Sequence, residues 1–553
     1  MLRDLLKSIA RREWFLVIAI SVFVILLTTA PYFYGWLVTP VGYHYTGLHS
    51  LTPGDIHVYY SYLEQVRQGH GLFSDLYTTE PQPYPMLNLF WLLLGLGAKF
   101  FGLSNIIAFQ LARIILIPAL IFVLYFISAY FFRAKTWRAI SFIFLAFASG
   151  WGATASPFLE NNVYQKGWYN WPLDLWAPES NSLLTLLQSP HLILSTLLIS
   201  LIFLFFFWAL QSRRASYAIF SGLAALFLFS FHPFHLPTIF GVLGVYLGWL
   251  FIKNKKIDFT QLGYFFIVSL FSLPIIVYYF WLMSSDDLTR FRTLQNVCLT
   301  PSLWVTMISY APLLILLIFC LITFFRRRAW RPEYVFLTVW FFVQFLLIYS
   351  PLPWQRRMLQ GWQIPMTLLA VFGLRYFYEW LRRRLSAHHF DFYVRNKYLA
   401  LILFITIFCP SQIFNLVREF SVFADPQYKE QLYISADRFA GYRWLQANLS
   451  ADDLILSDII NGNLIPGVAG RRVFVGHGVE TLFFESKFGL AYLFFKTNDF
   501  DDRKINFLKI NQINYVFFSP SEDIVGEFEP EEKNYLHPVF RSGQVVIYQV
   551  DLK

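Results

Sequence analysis

The sequence predicts a polytopic α-helical membrane protein with a small α/β domain at its C-terminus, and three observations carry that reading. Of its 553 residues, 57% are hydrophobic and only 14% are charged, whereas a soluble globular protein carries roughly 25% charged residues. Apolar stretches recur through the first 414 positions, each close to the length that crosses a hydrocarbon core as a helix. Beyond about residue 430 the pattern changes to short strand-like runs separated by helical ones. Lipid, not water, solvates much of this chain.

The basic start (Arg3, Lys7, Arg11, Arg12) leads into an apolar stretch from Trp14 to Trp36. Its length identifies a retained first helix, not a cleavable signal. Further windows at 106–132, 138–155, 190–210, 217–235, 237–252, 261–283, 303–325, 334–350, 363–381 and 397–414 make eleven candidate spans. A shorter window at 86–102 is either a twelfth span or a helix lying at the interface. The expected total is about 11–13 transmembrane helices.

The formal charge of +10 does not indicate nucleic acid, because it is unevenly placed. Residues 414–553 hold 14 of the 44 Lys/Arg and 19 of the 34 Asp/Glu, so the first 413 residues are net basic. The basic residues sit at helix ends, as the positive-inside rule requires of cytoplasmic loops. Those loops are Arg133/Lys135/Arg138, Arg213/Arg214, Lys253/Lys255/Lys256, Arg326–Arg328 with Arg331, and Arg382–Arg384. The N-terminus is then cytoplasmic in the plasma (inner) membrane, and the C-terminal domain is extracytoplasmic. Residues 1–414 form the transmembrane domain, with large outer loops at 37–85 and 156–189, and residues 415–553 form the outer α/β domain.

The C-terminal segment reads as a helix at Ala436–Ala447 and strands at Asp452–Asp458, Val473–Gly476, Tyr515–Ser519 and Val545–Val550. It contains neither GxGxxG nor a P-loop, so no nucleotide is assigned to it. The three cysteines, Cys298, Cys320 and Cys409, have no metal or disulfide spacing. Asn448-Leu449-Ser450 matches a glycosylation sequon too short to carry weight.

The outer loops are long and rich in Trp, Tyr, His, Pro and acidic residues, which places the working face outside. The first reads Pro53-Gly54-Asp55-Ile56-His57-Val58-Tyr59-Tyr60, then Glu64, Arg67 and Gly69, and ends with Asp75, Tyr77, Glu80 and Pro85. Asp55 follows a Pro-Gly turn and precedes a helix, so it is a candidate chemical carboxylate and equally a candidate helix N-cap.

This loop, from Gly54-Asp55 to Gly69 and on to Tyr77-Thr78-Thr79-Glu80, resembles that of membrane-embedded GT-C glycosyltransferases of the bacterial and archaeal family 39 and aminoarabinose-transferase branches. The resemblance extends to the architecture of most of the chain. It implies a donor in which a sugar is carried on a polyprenyl phosphate, with Asp55 as catalytic base. Tyr59, Tyr60, Glu80 and Trp171 are then candidate substrate contacts. The sequence lacks the Trp-Trp-Asp motif of oligosaccharyltransferases, and Ile56 stands where protein mannosyltransferases carry the second residue of an Asp-Glu pair. No cofactor is assigned, although a divalent metal would serve the departing phosphate.

For the phosphate itself, Arg356 and Arg357 in Trp354-Gln355-Arg356-Arg357 stand on the outer side against the charge trend. They either bind phosphate or snorkel to lipid headgroups. His191, His232 and His235 recur at outer helix ends and are candidates for hydrogen bonds to a phosphate or sugar; a metal site or a packing role are the alternatives. Arg290 and Arg292 are a weaker pair, because Asp286 and Asp287 lie close by to neutralise them.

The leading expectation is therefore a membrane glycosyltransferase acting at the outer face, on an unidentified glycan, lipid or protein acceptor. The alternative is a multi-pass transporter, or a lipid-linked-glycan flippase or ligase without GT-C chemistry. A transporter predicts internal repeats and ionisable residues at helix centres. The helix interiors here are nearly charge-free apart from Arg113.

Overall fold

A computed structural model of the chain describes residues 2–50, 53–327, 331–384 and 396–552. Arg328 of one basic loop lies outside the described residues. Each of the eleven apolar windows is helical over most of its length. Five helices are long and apolar enough to cross a membrane: Arg11–Leu37, Asn105–Phe131, Pro190–Ser212, Pro233–Asn254 and Phe259–Ser285. Counting each of two bent pairs as one span gives seven.

The bends have local causes. Window 138–155 breaks after Phe147 and resumes at Gly152, with a 45° turn; window 397–414 breaks before Pro410, with a 71° turn. Proline removes a helical N–H and clashes with the preceding turn, so a break at that position is expected. The 86–102 window forms a helix of only 12 residues, Leu89–Phe100, which is too short to span about 30 Å of hydrocarbon at 1.5 Å per residue.

The chain divides into two compact units. The first comprises Met1–Thr29, Leu111–Tyr279 and Val297–Arg418. At its centre is helix Pro190–Ser212, whose apolar window is 89% buried. By contrast, Phe259–Ser285 is 22% buried over its window and exposes Phe266, Leu270, Leu273 and Val277. An apolar surface of this extent belongs against lipid. The chain is an integral membrane protein.

Arg113, the charge that stands out inside the predicted span 106–132, is fully buried. Its guanidinium donates to Thr28 Oγ1 at 2.9 Å, Thr29 Oγ1 at 3.0 Å and the Leu186 carbonyl at 3.3 Å. A charge this deep is kept when hydrogen bonds replace its water. Helices Ala311–Arg327 and Gln363–Arg384 pack so closely that a Cβ on Gly373 would collide with the Leu316 carbonyl oxygen. Overpacking of this kind costs about 1–3 kcal/mol or more. Gly373→Leu is expected to abolish the monodisperse peak of a fluorescent fusion in size-exclusion chromatography.

The second unit comprises Ala30–Gln110, Phe280–Asn296 and Glu419–Lys553. Strand β1 (Tyr43–Tyr45) pairs antiparallel with β2 (Tyr433–Ser435). Glu419, fully buried, accepts from His49 Nδ1 and the Ser50 amide at 3.0 Å each. Helix Pro53–Arg67 lies against helices Leu89–Phe100 and Ile459–Ala469.

A five-stranded sheet follows, in the order β4-β3-β5-β7-β6. Its strands are β3 (Leu454–Leu456), β4 (Arg472–Val473), β5 (Tyr515–Phe518), β6 (Leu536–Ser542) and β7 (Val545–Val550). β3 is parallel to both β4 and β5, and the β6–β7 hairpin adds antiparallel to β5. Leu456, Val516, Phe474, Phe494, Leu508 and Tyr548 fill the core beneath it. The sequence reading missed β6. It is the edge strand, it contains Pro538, and its register shifts between Pro538 and Phe540. Proline is tolerated in a sheet only at such edges and bulges.

Candidate active site

Asp55 is the third residue of helix Pro53–Arg67, not its N-cap. A carboxylate in the first turn suits the positive end of the helix dipole. Its Oδ1 lies 2.9 Å from Nε2 of His477, 422 positions along the chain. The Asp55 side chain is 42% exposed and that of His477 only 11%, so the pair presents its carboxylate outward. With the ring neutral, His477 Nδ1 accepts from the amides of Val479 and Glu480 at 3.3 Å each; protonation makes it a donor and gives those contacts up.

Burial disfavours the charged imidazole, but the hydrogen bond that Nε2–H donates to Asp55 and the charges of Asp55, Glu480 and Asp75 outweigh it. His477 therefore holds its proton above the ordinary histidine range.

Sequence reasoning missed His477. Its signal was local: it stands between Gly476 and Gly478, just beyond β4. Loops at the carboxyl ends of parallel strands are where α/β domains place ligand-contacting residues. Two further ion clusters join the first outer loop to the C-terminal segment. Arg292 lies 3.4 Å from Asp75 and 3.2 Å from Glu480. Burial and the Glu480 charge raise the Asp75 carboxyl to about 6, while Arg292 and the Tyr77 amide oppose the rise.

The local acids expected for the two arginines are only half used. Arg290 pairs with Asp287 at 2.7 Å, whereas Asp286 caps helix Asp287–Gln295 by accepting from the Thr289 amide at 3.1 Å.

Glu80 is held by Lys487, whose Nζ lies 2.7 Å from Oε1 and also donates to Thr79 Oγ1 at 2.9 Å and Thr78 Oγ1 at 3.2 Å. Burial lowers the proton affinity of Lys487, partly offset by Glu80. Removing one member of such a pair leaves the other undersolvated, at about 1–3 kcal/mol. Lys487→Met is expected to lower the thermal unfolding midpoint by several degrees, read by intrinsic fluorescence in detergent.

Tyr59 stacks on Trp91, with ring centroids 4.9 Å apart. Tyr60, 3% exposed, meets His57 and Phe109 edge-on.

The remaining sequence candidates belong to the first unit. His191 opens helix Pro190–Ser212, with Nδ1 2.5 Å from Ser189 Oγ. Ser195 Oγ, one turn on, lies 2.6 Å from His232 Nδ1. The His191 and His232 rings are 5.0 Å apart and those of His232 and His235 are 5.7 Å apart. Arg357 sits 5.1 Å from the Phe234 ring and Arg356 4.3 Å from that of Trp176. The Trp171 carbonyl accepts from Trp176 Nε1 at 3.0 Å. The Nε of Arg356 and Nδ1 of His235 are buried without a hydrogen-bond partner among the described residues. Three histidines and an arginine are thus gathered into one region.

Among the described residues, no three His, Cys, Asp or Glu side chains converge as a metal-ligand set.

At the carboxyl ends of the parallel strands, connections leave β3 and β5 in opposite directions, the arrangement that opens a ligand crevice in α/β sheets. Here that crevice is plugged. Glu522, fully buried, accepts from the Asp458 amide at 2.9 Å, Asn461 Nδ2 at 2.7 Å and Ser519 Oγ at 2.6 Å. Burial and the Asp458 charge push Glu522 well above the usual carboxylate range.

No protein-family model matches the chain, and no curated protein matches it in sequence. In fold it is similar to the oligosaccharyltransferase of Archaeoglobus fulgidus. The apo form aligns with a TM-score of 0.52 at 12% identity, over 96% of this chain and 73% of that one. Its complex with Zn and sulfate aligns with a TM-score of 0.51 at 12% identity, over 94% and 71%. ArnT from Cupriavidus metallidurans, bound to undecaprenyl phosphate, aligns over 98% of both chains at 14% identity with a TM-score of 0.48. The chain has the helical membrane fold of the archaeal protein, with a small sheet domain at its C-terminus.

Proposed function

We propose that the chain is a GT-C-type glycosyltransferase that moves a sugar from a polyprenyl-phosphate-linked donor to an acceptor on the outer face of the plasma (inner) membrane. The observation that carries this reading is the Asp55–His477 pair, a partly exposed carboxylate of the first outer loop held by a buried histidine of the C-terminal segment. The fold shared with the archaeal oligosaccharyltransferase supports it. Topologically, residues 1–414 are the transmembrane domain, with a cytoplasmic N-terminus, and residues 415–553 are extracytoplasmic. The second unit supports this assignment by gathering 30–110, 280–296 and 419–553, segments the charge pattern puts almost entirely outside.

In the proposed reaction the acceptor hydroxyl attacks the anomeric carbon and gives its proton to Asp55. The bond from that carbon to the donor phosphate breaks, and the lipid phosphate departs with the electron pair. The configuration inverts. Positioned general-base catalysis of this kind contributes about 10²–10⁴-fold. Charge on the departing phosphate needs fixed donors, and Arg356, Arg357, His191, His232 and His235 are assigned that role. Tyr59, Tyr60, Glu80 and Trp171 are assigned to substrate. Tyr59 and Tyr60 would act through packing beneath Asp55, given their ring contacts.

The test is transfer from radiolabelled polyprenyl-phosphate sugars into membrane extracts by the purified protein. Transfer by the wild-type chain is expected; none with any donor would end the proposal. Arg357→Ala is expected to raise KM for the donor about tenfold or more, since a charged hydrogen bond contributes about 1.5–3 kcal/mol, with KM for the acceptor unchanged.

A further inference from the structure

Two helices of the second unit carry their polarity inside out. Helix Asp287–Gln295 turns Arg292 inward to Asp75 and Glu480, at 3.4 and 3.2 Å. The Gln295 side chain turns inward as well. Its Nε2 donates to the Val479 and Thr481 carbonyls at 3.1 and 2.7 Å, and its Oε1 accepts from the Phe483 amide at 3.2 Å. Leu288 is buried, but the other apolar side chains, Phe291 and Leu294, are exposed. With Asp287 and Arg290, also exposed, they recur at the spacing of one helical face. A helix packed on a domain in water shows the opposite arrangement.

Helix Phe484–Lys496 repeats the inversion. Lys487 is buried on Glu80, while Phe488, Tyr492 and Leu493 are exposed. Phe484, Phe488 and Tyr492 form a ladder with successive ring centroids 5.9 and 6.4 Å apart, and Lys496 Nζ lies 5.5 Å from the Tyr492 ring. Ala491, Phe494 and Phe495 fill the buried side, so the helix is apolar almost all round. That pattern belongs to helices shielded from water on every side. Phe483, just before it, is 58% exposed and held at φ +55, a left-handed backbone that bulky side chains rarely adopt. Its ring lies 6.5 Å from that of Phe291, which joins the two exposed faces.

The lipid surface already described leads onto this patch. Span Phe259–Ser285 exposes apolar side chains as far as Phe280 and Trp281, which belong to the second unit. Two Cα steps of about 3.8 Å and four helical rises of about 1.5 Å keep Phe291 within about 14 Å of the end of that span. The charges the two helices expose, Asp287, Arg290, Glu485 and Lys496, are two of each sign, and Asp287 pairs with Arg290 at 2.7 Å. A face balanced in this way does not select a strongly charged partner. Its apolar and aromatic side chains suit the boundary between headgroups and acyl chains.

We propose that Phe291, Leu294, Phe483, Phe488, Tyr492 and Leu493 form a membrane-seated face, by which the second unit rests in the leaflet where the span ends. On the proposed topology that is the outer leaflet. The face stands apart from any reaction at Asp55. Gln295 also clasps the turn that carries His477, so the seat sets the height of the Asp55 pair relative to the lipid.

Nitroxide labels on the full chain in phosphatidylcholine nanodiscs test it. Cys298 is replaced by alanine, Cys320 and Cys409 being buried. Leu294→Cys, Phe488→Cys and Leu493→Cys are labelled one at a time, so a variant that fails to fold leaves the others to decide. Ala451→Cys, in an exposed turn before β3, is the aqueous reference. Power saturation is expected to show oxygen reaching the three face positions more readily than a nickel chelate, at a depth of about 5–10 Å, with the reverse at 451. High salt is expected to leave that depth unchanged, because the exposed charges balance.

Face labels that read as 451 reads would overturn the proposal. So would labels shielded from oxygen and nickel alike, which would put protein on the face; spin–spin broadening would then identify that protein as a second copy of the chain. A depth that collapses in high salt would also overturn it, by making the contact one between charges.

Discussion

Asp55→Asn is expected to reduce sugar transfer by about 10²–10⁴-fold, the usual contribution of a positioned general base, while leaving the protein folded. Asparagine is nearly isosteric and can still face His477 across the 2.9 Å contact, but it cannot take up a proton. The measurement is initial-rate transfer at saturating donor and acceptor, alongside a thermal melt of the same preparation. A well-folded variant with wild-type turnover would remove Asp55 from the chemistry while leaving the fold assignment untouched.

His477→Gln has the second largest expected effect, and its signature is a pH profile. His477 is held above the ordinary histidine range by Asp55, Glu480 and Asp75, against burial. For a group whose folded value is raised, the contribution is complete below the ordinary value of about 6.5 and is lost as pH rises through the folded one. Wild-type turnover should therefore fall on the alkaline side as the imidazolium loses its proton. Glutamine keeps a donor for Asp55 but carries no charge. It should lower turnover about ten- to hundredfold at neutral pH, from a charged hydrogen bond of about 1.5–3 kcal/mol. It should also flatten the alkaline limb, which a merely structural role for His477 would leave in place.

The helical membrane architecture was legible because it depends on composition. A window of apolar residues must find lipid or core whatever its partners are. The β-strands were legible where hydrophobic runs ended at turns, as at Tyr515–Phe518 and Val545–Val550. They were not legible at Leu536–Ser542, where proline and a run of three exposed residues, His537–Val539, disguise an edge strand.

The site was half legible. Asp55 and Glu80 stood out as acids in an aromatic loop, but their partners His477 and Lys487 lie some 400 positions away. A single sequence carries no record of such pairings. Arg292 illustrates the same limit. Two acids within six residues offered a local partner, yet Asp286 satisfies a helix end and Arg292 reaches Asp75, 217 positions upstream.

That separation also sets a schedule for the growing polypeptide. The carboxylate emerges from the ribosome among the first tenth of the chain, and its imidazole partner only in the last seventh. Strand β1 likewise waits for β2. A nascent or prematurely terminated product that ends before residue 477 can insert every one of its spans and still lack the imidazole that holds Asp55. On the proposed mechanism, catalytic competence waits until residue 477 has been made and has docked on Asp55.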